Sequence, residues 1–140
     1  MIETLALPLA LRQQLEQEAR SAYPHECCGL IEGVRTPREM KGEATALHPT
    51  PNLSNEPDRF EIDPATHFAL LRKLRGTGHD IIGCYHSHPN GRAEPSARDM
   101  EGAAEAGFFW LIASLQNAAA PVRLACFAWT GSTFTEVRIV

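Results

Sequence analysis

The stretch DIIGCYHSHP at residues 80–89 constrains the fold more than any other part of the chain. Its β-branched and aromatic residues read as a strand, and Pro89 stops it because proline cannot donate to a ladder. Two further apolar runs, FFWLIAS (108–114) and VRLACFAW (122–129), read as buried strands, and Gly131 turns the chain into a last strand, FTEVRIV. Upstream, residues 8–21 form a first helix: Pro8 suits a first turn, and Leu11, Leu15 and Ala19 share one stripe. CCGLIEGV (27–34) and residues 42–48 are strands, and PTPNLSNEPDRFEIDP (49–64) is a loop holding a short strand at Arg59–Ile62. Asp63 caps a second helix from Pro64 to Arg75, closed by Gly76. A third helix runs from Ser96 to about Ala106. Helices alternate with strands and the chain ends in a β-meander, so the class is α/β or α+β, a sheet with about three helices packed on it.

With 140 residues the chain reads as one domain, 1–140, and 44% hydrophobic residues supply a core without disulfides. A net charge of -4 argues against a dedicated nucleic-acid binder. The N-terminal apolar stretch is broken by Pro8 with no basic region before it, and no run approaches the roughly 20 apolar residues of a membrane span. The expectation is a cytoplasmic protein with no membrane partner, whose four cysteines stay reduced. Cys27 and Cys28 are read as packing residues, with a redox brake as the sharper alternative.

Residues two apart on a strand point to one face, so His86 and His88 project together at the strand's C-terminal end, where open α/β sheets place ligands. Seven residues later the chain reaches Ser96, and Asp99 follows one helical turn on. Two imidazoles and a carboxylate suit zinc, and three protein ligands leave its fourth position to water. Each piece also has a plainer reading. His-x-His can be a polar strand end, and Ser96-x-x-Asp99 matches a capping box. The two roles of Asp99 are compatible, because a helix N-terminus favours a carboxylate. A general base is also needed, and Glu26, Glu32 and Glu94 compete for it on sequence grounds. Asn52 and Asn55 read as turn formers, with contact to a substrate as the alternative. His25, His48, His67 and His79 have no partner spacing, and Trp110 and Trp129 read as core.

These residues resemble the JAMM (MPN+) metalloprotease family: a glutamate upstream, His-x-His-Pro, seven residues, Ser, then Asp three residues on. Glu26, His86, His88, Ser96 and Asp99 fill every position, and HECCGLIEG and GCYHSHPNGRAEPSARD look like the compact prokaryotic branch. The resemblance runs from about residue 2 to 138. It implies an MPN fold similar to cytidine deaminases, with a mixed, curved sheet. It implies Zn2+ on His86, His88 and Asp99, Glu26 as general base, and Ser96 as donor to an oxyanion. It implies cleavage after the Gly-Gly tail of a ubiquitin-like protein, a sulfur carrier in the prokaryotic branch. Only about ten residues follow Asp99 before the next strand, too few for the insertions that read polyubiquitin linkages. A scaffold without catalysis and a zinc hydrolase of small peptides or amides remain alternatives. A RadC-like, DNA-linked protein is disfavoured by Ser87 between the histidines and by the acidic charge. Oligomeric state is not legible.

Overall fold

The computed structural model describes residues 2–140. Seven strands run in the order β1 (Glu3–Ala6), β2 (Cys28–Thr36), β3 (Lys41–Thr50), β4 (Asp80–His88), β5 (Phe109–Ser114), β6 (Arg123–Trp129) and β7 (Phe134–Ile139). Three helices, α1 (Leu9–Ala22), α2 (Pro64–Leu74) and α3 (Ala97–Gly102), are joined to them, with a 3-10 turn at Pro37–Glu39. The sheet closes on itself in the spatial order β1-β3-β2-β4-β5-β6-β7. It is mixed: β1 runs parallel to both β3 and β7, and β4 runs parallel to β5. The other pairs are antiparallel, including the terminal β5-β6-β7 meander.

Closure follows from β1, which the sequence reading left unassigned. Leu5 and Leu7 alternate with Thr4 and Ala6, and both leucines are fully buried. Four residues at the N-terminus bridge two strands that lie about 40 and 135 residues away, so no local pattern announces them. A closed barrel removes the exposed sheet edges that an open sheet would present. The open sheet assumed for ligand placement is therefore replaced by a closed one, with the histidines still at the C-terminal end of β4.

Alternation then sorts the side chains onto two faces. One core gathers a residue from every strand: Leu5, Ile31, Leu47, Tyr85, Leu111, Cys126 and Val137, with Leu15 and Ala19 from α1 against them. The other face carries Leu30, Cys84, Trp110 and Trp129, covered by Leu70 and Leu74 of α2. This second face bears the site, because Cys84, His86 and His88 all point to it. Asp63 caps α2 as expected, accepting from the Ala65 amide at 3.0 Å.

Two local expectations are corrected. Arg59–Ile62 is no strand; only an isolated bridge joins Ile62 to Asn52. The Asn52 side chain has taken the backbone groups a ladder would use, donating to Arg59 O and accepting from Glu61 N. The third helix is also shorter than predicted, ending at Gly102, with Ala103 extended at φ −78°, ψ 130°. Glycine weakens the helix there, and the chain must then reach β5. Among the described residues no helix is long and apolar enough to cross a membrane.

At Gly83 β4 lies close against β5: a Cβ there would strike the Phe109 carbonyl, which backbone cannot yield. Gly83→Ala is therefore expected to lower stability by about 1–3 kcal/mol, the usual cost of overpacking, read as a lower urea midpoint at unchanged slope.

Candidate metal centre

His86 and His88 leave β4 on one face and are almost wholly enclosed, at 0% and 3% exposure. Their Nε2 atoms lie 2.9 Å apart. Asp99 arrives from α3, 5% exposed. Its carboxylate sits 3.0 Å from His88 Nε2, and both of its oxygens lie 3.1 Å from His86 Nε2. The capping box makes this placement. Ser96 Oγ accepts from the Asp99 amide at 3.1 Å, and the Ser96 amide donates to Asp99 Oδ2 at 2.9 Å. The capping role and the meeting with the histidines thus coexist in one carboxylate.

This trio could hold a metal ion. Two ring nitrogens and a carboxylate turn lone pairs toward one small region inside the protein, where unpaired polar atoms are costly. A divalent cation satisfies all of them, and the donor set of two nitrogens and one oxygen suits zinc chemistry. His88 Nδ1 lies 2.9 Å from Arg92 O, an acceptor that puts the proton on Nδ1 and leaves the Nε2 lone pair free to ligate. The charges agree. Burial acts to raise the Asp99 carboxyl, but the close approach of the His86 and His88 rings outweighs it and holds Asp99 well below the usual carboxylate range. Burial pushes His86 down. It would do the same to His88, but Asp99 overrides it and the net shift is upward.

Glu26 is the fourth element. In the β2–β4 ladder Cys28 faces His86, so the antiparallel register carries Glu26 toward His88. The Cys27 amide donates to Ser87 Oγ at 2.8 Å, the Ser87 amide donates to Cys27 O at 3.1 Å, and Asn52 Nδ2 donates to Glu26 O at 3.0 Å. The carboxyl itself is 5% exposed and its Oε1 has no hydrogen-bond partner. Burial, partly offset by the charge of His88, pushes its pKa up to about 8.

The competing carboxylates are placed elsewhere. Glu32 is clamped by two histidines that the sequence left unpartnered, His48 Nε2 at 2.8 Å and His79 Nδ1 at 2.6 Å. Glu94 is exposed in the loop before α3. Asn52 is wholly engaged by the chain: besides Glu26 O, its amide donates to Arg59 O, and its oxygen accepts from Ser54 and Glu61. Asn55 is exposed on the same loop. Cys28 is buried with its thiol near Thr50, and burial pushes the Cys27 thiol up to about 12 and the Cys28 thiol upward as well.

Three contributors escaped the sequence reading. Phe60 stacks on His86 with ring centroids 4.3 Å apart. Trp110 meets the same imidazole edge-on at 5.8 Å, so this core residue also walls the site. Arg92 contributes its carbonyl. Phe60 fell within the short segment read as a strand, where nothing pointed to the histidines, and a backbone acceptor leaves no trace in residue type. Beside the trio opens a cavity of about 610 Å³, walled by Phe60, Glu61, His67, Asp99, Phe108 and Trp110 among others.

The Glu26 carboxyl generates a test on chelated protein. In the open chain it titrates near 4.5 and in the fold near 8. Its contribution is fully present below pH 4.5 and is lost as pH rises through 8. Glu26→Gln is expected to remove that slope and to stabilise the metal-free protein at pH 9, by less than the roughly 5 kcal/mol that a rise from 4.5 to about 8 is worth before solvent screening. Denaturant unfolding at pH 5 and pH 9 checks it.

Residues 8–129 match the family model described as prokaryotic homologs of the JAB domain. A desampylase from Haloferax volcanii is 35% identical, the match covering 96% of this chain and 94% of the relative. A probable TtuB-protein conjugate cleaving protease from Thermus thermophilus is 31% identical, covering 69% of this chain and 62% of that one. Among solved structures, one described as "JAMM: A Metalloprotease-like Zinc Site in the Proteasome and Signalosome" superposes with a TM-score of 0.56 at 16% identity, over 100% of this chain and 99% of that one, a likeness of fold. The chain belongs to the prokaryotic JAB-domain family, a compact branch of the JAMM/MPN hydrolases.

Proposed function

We propose that the chain is a zinc-dependent isopeptidase that cuts the amide bond after the C-terminal Gly-Gly tail of a ubiquitin-like protein of the sulfur-carrier type. The observation that carries this reading is the pairing of a buried, unpartnered Glu26 carboxyl with three converging ligand side chains. A structural acid would have a partner; a proton-transfer group must keep an oxygen free. The relatives named for conjugate cleavage support the substrate class.

His86, His88 and Asp99 would hold the ion. When bound, zinc supplies Lewis acidity at the scissile carbonyl and a water whose pKa falls near 7. Glu26 takes a proton from the attacking water and returns it to the departing amine. Its high pKa without the ion reflects burial, and a carboxyl raised toward neutrality is suited to both halves of that transfer. Ser96 Oγ accepts from the Asp99 amide, which leaves its own hydrogen to donate to the developing oxyanion. Phe60, stacked on His86, keeps water from the imidazole face. A tail ending in two glycines brings no side chain to the bond and passes such a wall in extended form.

Glu26→Gln is expected to retain one zinc per chain and lose nearly all turnover on a carrier extended beyond Gly-Gly, followed by mass spectrometry. His88→Ala and Asp99→Ala are expected to lose both metal and turnover. Ser96→Ala is expected to slow cleavage by roughly 10²–10³-fold, the usual effect of deleting one oxyanion donor. Full activity in Glu26→Gln would remove the base assignment. A wild-type protein that takes up no zinc would favour a scaffold, and cleavage of small peptides alone would favour a simpler peptidase.

A further inference from the structure

The two histidines of the trio are held in different ways. His88 has an acceptor behind it, the Arg92 carbonyl 2.9 Å from Nδ1. His86 has none: its Nε2 faces His88 and Asp99, and its buried Nδ1 meets no hydrogen-bond partner among the described residues. A ligating imidazole almost always gives its second nitrogen to a carboxylate, a carbonyl or water, and that bond fixes the plane of the ring. His86 is wholly buried, so its plane must be fixed by something other than a hydrogen bond.

What surrounds the ring is aromatic. Phe60 lies against one face of the imidazole, with the centroids 4.3 Å apart and the planes 22° apart. Trp110 stands perpendicular to the same imidazole at 5.8 Å and 88°, and edge-on to Phe60 at 5.7 Å. Stacked and edge-to-face pairs are the favourable aromatic arrangements, and here they form a corner. Rotation of the imidazole about its χ2 bond would drive its edge into one of the two neighbours.

Phe60 comes from a loop, where side chains are ordinarily less well placed. One side chain removes that freedom. Asn52 donates to Arg59 O and accepts from Glu61 N, both at 3.0 Å, so it grips the backbone immediately before and after Phe60. Leu53 N adds a bond to Glu61 O at 2.9 Å. The Asn52 amide also donates to Glu26 O, and the next residue, Cys27, is bonded to Ser87 between the two histidines. The loop is thus tied back to the strand that carries the imidazole. We infer that Phe60 is a positioning residue for His86: ring stacking does for this imidazole what the Arg92 carbonyl does for His88, and Asn52 sets the stack. The inference rests on the zinc reading and deepens it.

The test reads zinc affinity by competition with a chelator. It also reads the ring directly, by NMR of zinc-free protein carrying 13C-labelled histidine. Phe60→Ala is expected to weaken zinc binding by roughly 10–100-fold, the usual loss when the partner behind a ligating imidazole is deleted. Phe60→Tyr keeps the ring and is expected to keep wild-type affinity. Phe60→Leu fills the space without a planar face and is expected to fall with Phe60→Ala. The His86 ring signals are expected to be single in the wild type and broadened or doubled in Phe60→Ala, while those of His88 hold. Asn52→Ala is expected to weaken zinc binding too, and combining it with Phe60→Ala is expected to add nothing, because both act on one ring. Leu53→Ala, exposed in the same loop, is the control and is expected to leave zinc affinity unchanged. Wild-type affinity in Phe60→Leu would overturn the inference, and so would His86 signals that ignore Phe60→Ala, whether or not zinc binds. Altered His86 signals in a protein whose wild type takes up no zinc would remove the metal reading and leave Phe60 as the residue that holds the ring.

Discussion

One carboxylate ties the helix layer to the barrel. Asp99 accepts from the Ser96 amide with Oδ2 and presents the same group to His86 and His88 at 3.0–3.1 Å. The first contact fixes the start of α3, and the second fixes where α3 sits relative to β4. A helix of six residues has little intrinsic stability, so its position depends on this anchor and on the cation the trio could share. The capping box is thus more than a terminus: it aims a ligand.

The barrel supplies the complementary constraint. The β2–β4 ladder sets Cys28 opposite His86, and the Cys27–Ser87 pair of hydrogen bonds continues it by one residue past the strand. Glu26 is thereby held beside His88 by backbone rather than by its own side chain, which is why its carboxyl can stay unpartnered. Burial raises its pKa, and the geometry prevents it from relaxing toward a neighbour.

Legibility in the sequence followed the range of the interaction. His86 and His88 share a face because a strand has period two, and Ser96-x-x-Asp99 is a local signature of a helix start; both could be read directly. Glu26 could not, since its neighbours in space are 60 residues away, and only the family resemblance singled it out from Glu32 and Glu94. The structure shows why Glu32 was a fair competitor: it too is held near two imidazoles, His48 and His79, but in a hydrogen-bonded clamp away from the site. Phe60 and the Arg92 carbonyl were invisible because nothing in the short segment around Phe60 pointed to the histidines and backbone acceptors carry no residue type. Closure through β1 was missed because its two partner strands lie about 40 and 135 residues away. Where side chains compete with the backbone, local reading also misled, as at Arg59–Ile62, whose backbone is engaged by Asn52.

The account stands or falls on what surrounds the ion. X-ray absorption at the zinc edge on the loaded protein is the most direct measurement. Two imidazole nitrogens and two oxygens at about 2.0–2.2 Å, with no sulfur, are the predicted first shell. A sulfur scatterer at about 2.3 Å would bring in Cys84, which lies on the same face of β4, and would contradict the assignment of His86, His88 and Asp99.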